Sequence, residues 1–307
     1  MELDLLLRAV IGPATIAVVG VVILRLVLGA PGWKSSAPAW IALLLASAPI
    51  AAVVHQEGGL RWPPALAYDW LPVAMASAAG LAAALRVPSA ASWPWRLGVS
   101  VAASVVALSV IAPPGHASAE WRLSSAAAIA ASAFGAASGW GRSPSEAERT
   151  DAPRIAASAP FLSMWAVAAA GSAIVILSGF AKLAVVMGAL SACSAALAVG
   201  AFTVRGTQAG VATSVAFAVI LGAGAWFGLG YDEAGIPASA WLLLAMSPAA
   251  SAVSRIAPAT WPRVSMVLGS AAPAAVAFAA VAVTIASVGL PGQAPAESSP
   301  YARLTAP

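Results

Sequence analysis

Apolar runs of about twenty residues recur ten times along this chain, and their length sets the solvent in which it can fold. They cover roughly 9–29, 38–54, 70–86, 97–113, 123–139, 160–179, 183–204, 209–229, 238–254 and 264–289. An α-helix rises about 1.5 Å per residue, so about 20 apolar residues cross a hydrocarbon core of about 30 Å. The chain is 61% apolar and 8% charged, against about 25% charged in ordinary globular domains. That is too little polar surface to face water. The spacing predicts an all-α integral membrane protein, a polytopic bundle of about ten transmembrane helices. Phe161 to Val204 is twice the length of one span, and Ser178-Gly179-Phe180-Ala181-Lys182 divides it with a glycine and a charge, as a tight helical hairpin would.

The longest hydrophilic stretch, residues 141–159, separates five runs from five. It reads as a linker loop on the cytoplasmic side, between a first half at 1–140 and a second at 160–290. The tail 291–307 is rich in Pro and Ser and reads as disordered. Five spans per half would invert one half relative to the other. Tyr68-Asp69-Trp70-Leu71 and the later Tyr231-Asp232 and Trp241-Leu242 lie six spans apart and imply a parallel relationship instead. Both readings stay open.

Charge orients the bundle. If odd-numbered loops share a side, that side holds ten of the fifteen Lys and Arg and three of the eleven acids, a balance of +7 against −3. Alternate sorting of this kind is the positive-inside pattern. It predicts that both termini lie outside the plasma (cytoplasmic) membrane of a bacterial-type cell. Met1-Glu2-Leu3-Asp4 lacks a basic n-region, and Arg25 and Lys34 follow the first run, as expected for an uncleaved first helix. Ten of the twelve tryptophans fall at or beyond run ends, at headgroup level. Trp165 and Trp226 sit deeper. Arg25 lies near its run's end, where its side chain can snorkel. The run 123–139 is weakest, and Gly135-Ala-Ala-Ser-Gly139 suits it to central packing away from lipid.

The chemistry is sparse. Cys193 is the only cysteine, so an internal disulfide and a cysteine-based metal site are excluded. No phosphate-cradling glycine loop and no catalytic motif is present, and the expectation is a protein that is not an enzyme and holds no cofactor or metal. The basic residues are dispersed over short loops, which argues against a nucleic-acid partner. The sharpest cluster is His55, Glu57, Asp69, His116, Glu120, Asp232 and Glu233, drawn from three loops on the predicted outer face. Such groups can bind a divalent metal or a cationic substrate, although ordinary solvated loop residues look the same. Lys182, in its hairpin, can reach an anion or a carboxylate, or snorkel to headgroups. Arg205 and Arg255 read as orientation anchors. No Asp, Glu or His stands near the middle of a run, which weakens proton coupling. Ser100, Ser104, Thr213, Ser214, Ser247, Ser251 and Thr284 can line a solute path, or simply bond back within their own helices.

In size and span count the chain is similar to the ten-helix drug/metabolite transporter superfamily. That similarity is architectural: no diagnostic motif accompanies it, and the predicted outward termini oppose the family's usual arrangement. Two functions remain, besides an enzyme acting on a lipid-linked substrate through the outer carboxylates. One is a permease-like carrier of a small solute. The other is a non-catalytic membrane scaffold or subunit, with a homo-oligomer or membrane partner subunits as its company. A water-accessible cavity at the midplane distinguishes the first, and a dry, Ala-packed interior with an exposed apolar flank the second.

Overall fold

The computed structural model describes residues 19, 37–59, 67–85, 91–111, 118–141, 153–203, 208–232, 234–256 and 261–289. The first apolar run (9–29, apart from Val19), Arg25, His116, residues 142–152, Arg205, Glu233 and the tail lie outside them. Every regular element among the described residues is helical. In chain order these are α1 (Ala37–Glu57), a 3-10 turn (Ala67–Trp70), α2 (Leu71–Ala84), α3 (Trp93–Ile111), α4 (Ala119–Gly139), α5 (Pro153–Leu177), α6 (Ala181–Thr203) and α7 (Val211–Tyr231). Then come α8 (Ala238–Met246), continued without a break by a 3-10 segment (Ser247–Arg255), and α9 (Pro262–Val288).

Six of these helices are long and apolar enough to cross a membrane: α1, α3, α5, α6, α7 and α9. The protein is therefore a helical membrane protein by length and composition, and among the described residues six helices, against the expected count of about ten, meet that measure. The run 70–86 folds as a helix of only 14 residues. The run 123–139 gives a 21-residue helix that is Ser- and Gly-rich and carries Glu120 and Arg122 in its first turn. The run 238–254 changes helix type midway.

Local chemistry accounts for these boundaries. Helix α5 begins at Pro153 rather than at residue 160, because proline is favoured in a helix's first turn, where its missing N–H is not needed. The expected hairpin between α5 and α6 is present, with Gly179 at φ 75° after Leu177, a left-handed conformation that glycine adopts without steric cost. In α8, Pro248 has no N–H to return to Leu244. The Ser247 N–H and hydroxyl both donate to the Leu244 carbonyl instead. A three-residue turn thus starts, and with it Pro248, Ser251 and Ser254 eclipse on one buried face.

Packing closes these helices into a ring. The neighbours run α1–α2–α3–α4, then the 3-10 segment, α9, α5, α6 and back to α1. Helix α7 occupies the axis and touches α1 to α6 and α8. Every residue from Val211 to Ala225 is buried. In the most apolar 18-residue stretch, 94% of α7 is buried against 22% of α9. The sequence contains 82 alanines, and the core is lined by many of them, among them Ala78, Ala103, Ala133, Ala168 and Ala216. Small side chains let helix backbones approach closely, which is how packing holds helices together where lipid removes the hydrophobic force between them.

Candidate functional site

Consecutive helices alternate in direction, which sorts the described charges between the two ends of the bundle. One end carries Arg96, Arg154, Arg255 and Arg263, and no Asp or Glu among the described residues. The other carries Glu57, Asp69, Glu120 and Asp232 with Arg122 and Lys182. Cross-contacts fix this assignment. Glu57 at the end of α1 meets Lys182 at the start of α6, while Arg96 and Arg255 both reach the last turn of α4.

At the acidic end the hairpin cation is partnered within the protein. Lys182 Nζ lies 2.5 Å from a Glu57 carboxylate oxygen and 5.4 Å from the centre of the Tyr68 ring. The Tyr68 hydroxyl donates to the Lys182 carbonyl at 3.2 Å. Around Tyr68 stand Phe180 and Phe227, with ring centres 6.0 and 6.2 Å away, and Phe227 stacks on Tyr231. Asp232 is committed to its own turn, accepting from the N–H groups of Ala234 at 3.0 Å and Ile236 at 2.6 Å. Glu120 is exposed in the first turn of α4, behind the Ser118 N-cap, and His55 is exposed at the end of α1. Of the sequence-derived cluster, the fold thus gathers Glu57 and Asp69 around Tyr68 with Lys182. No three His, Cys, Asp or Glu groups among the described residues come together as a metal site.

At the arginine end lies a polar seam that the sequence did not announce. The carboxyl end of α4 exposes carbonyls that no later N–H can satisfy. Arg96 on α3 donates to the Ala137 carbonyl at 3.0 Å, and Arg255 on the 3-10 segment to the Ser138 carbonyl at 2.9 Å. Two guanidiniums from different elements thereby cap one helix and meet the negative end of its dipole. Deeper, Ser132 donates to the Ala245 carbonyl, Ser251 to Gly135, Ser265 to Ser254, Ser163 to Ser270, and the Trp140 indole to Gly269. Gly135 and Gly139 make the seam possible. A Cβ at Gly135 would lie 2.6 Å from Ala249 Cα, and one at Gly139 would fall on the Ser251 backbone. The only advance sign was the glycine spacing in α4.

The hydroxyls proposed as a solute path are buried, and most satisfy themselves locally. Ser100 donates to Arg96, Ser104 to Ser100, Ser214 to Gly210, Ser247 to Leu244 and Thr284 to Ala280. Ser251 also crosses to another helix. Comparison with protein-family models, curated proteins and solved structures finds no match.

Proposed function

We propose that this chain is a non-catalytic membrane subunit or scaffold, whose closed helical core presents outward faces to partner helices in the bilayer. The observation that carries this reading is the burial of α7 along the axis, where a carrier would hold its solute. A second support is the outer face of α9. Its exposed positions include Ala271, Ala275, Ala279, Ala282 and Ala286, small residues of the kind that favour helix–helix contact over lipid. The partners are then membrane subunits or further copies of the chain, and no nucleic acid.

The orientation belongs to the same proposal. The shorter elements reach across the bilayer because 3-10 turns rise about 2.0 Å per residue. The 3-10 turn with α2, and α8 with its 3-10 segment, each extend about 30 Å. Together with α4 they bring the proposed spans among the described residues to nine, and the run 9–29 of the expected ten, apart from Val19, lies outside those residues. The arginine end faces the cytoplasm, both termini lie outside, and the membrane is the plasma membrane of a bacterial-type cell.

One observation favours the second reading, a small-solute permease. The helix switch at Ser247–Arg255 resembles the interrupted helices that carriers use at binding sites. Reconstituted liposomes separate the two. A scaffold leaves the permeability to a panel of small neutral and charged solutes at the level of empty vesicles. Saturable, protein-dependent flux of any one of them would overturn the subunit reading.

A further inference from the structure

A pocket of about 40 Å³ opens at the arginine end between α4, α5, α9 and the 3-10 segment. That is room for about three water-sized centres, at roughly 10–15 Å³ each. Gly139, Trp140, Ala159, Ser254, Ser265 and Gly269 form much of its lining. Ser254 is 4% exposed, and its hydroxyl has no hydrogen-bond partner among the described residues. A buried hydroxyl without a partner costs free energy that a bound acceptor recovers.

The surroundings favour a negatively charged acceptor. Arg255 follows Ser254 directly, Arg154 stands in the first turn of α5 ahead of the lining residues Ala156 and Ala159, and Arg263 stands in the first turn of α9 two residues before Ser265; all three are exposed. Both α5 and α9 begin at this end, so the positive ends of their dipoles face it, and the N-cap residue of α9, Trp261, supplies no side-chain cap. The carboxyl end of α4 would oppose an anion, but its Ala137 and Ser138 carbonyls already carry Arg96 and Arg255. A cation is disfavoured by the same guanidiniums.

We propose that this pocket binds a phosphate oxyanion, with the Ser254 hydroxyl as its buried donor and Arg154, Arg255 and Arg263 as its charged rim. The phosphate belongs either to an anionic phospholipid headgroup at this surface or to free inorganic phosphate. The site stands independently of whether the chain is a subunit or a carrier.

The full-length protein in an uncharged detergent is titrated with inorganic phosphate against chloride at constant ionic strength, and its thermal unfolding midpoint is read. In a parallel arm the protein is taken from nanodiscs of mixed phosphatidylglycerol and phosphatidylcholine, and the lipid retained is counted by native mass spectrometry. A saturable rise in midpoint identifies free phosphate, and selective retention of phosphatidylglycerol identifies the lipid. In whichever arm binds, Ser254→Ala weakens binding about tenfold, the worth of one charge-assisted hydrogen bond. The exposed double variant Arg154→Gln/Arg263→Gln weakens it at least as much. Absence of saturable binding in both arms overturns the proposal, as does binding that Ser254→Ala leaves unchanged.

Discussion

At the scale of single residues, tight approach rather than apolar area decides what this protein tolerates. Gly139 and Gly224 make the contrast. A Cβ at Gly139 meets the Ser251 backbone, which cannot move without displacing the 3-10 segment, whereas one at Gly224 meets the flexible end of Met187. Gly139→Ala is expected to destabilise the protein by about 1–3 kcal/mol, and Gly224→Ala by clearly less, measured by unfolding in detergent.

At the scale of elements, helix ends and helix type carry the information. Arg96 is 6% exposed and holds two carbonyls, Ala91 and Ala137. Arg96→Met leaves both without that partner and is expected to cost about 2 kcal/mol. Arg255→Met, at an exposed position, is expected to cost under about 1 kcal/mol; equal losses would show that burial is not what distinguishes them. Helix positions were legible because tryptophan and charge punctuate the apolar runs, and Gly179 with Lys182 marks a hairpin that periodicity alone would have joined. The arginine caps were not legible. Arg255 has the same local context as an orientation anchor, and only the fold brings it to Ser138. Pro248 interrupts the α-helical hydrogen-bond pattern locally, but the switch to 3-10 geometry depends on what α4 presents opposite it, which no local pattern records. At the acidic end, the residue types in Glu57, Asp69 and Lys182 were visible, while Tyr68 as their meeting point was not.

At the scale of the whole molecule, charge sorting and axial packing are separate properties. The sorting follows from alternation of helix direction and was readable in the loops. It predicts that reporter fusions after residues 34, 96, 150 and 263 report cytoplasm and that a C-terminal fusion reports the exterior. Which helix fills the axis was not readable, because α7 differs little in composition from α6, and its place follows from the ring of neighbours around it. That central helix is the main claim. Its most direct test is the reactivity of single cysteines at Ala216, Ala218 and Ala223, in a Cys193→Ser background, toward a charged, membrane-impermeant thiol reagent. Gln208 and Ala234, exposed beyond the ends of α7, serve as labelled controls once membranes are opened. The account predicts that the three axial cysteines stay unmodified in the bilayer and react fully after denaturation. Rapid labelling of any of the three in the folded protein would place water on the axis and contradict it.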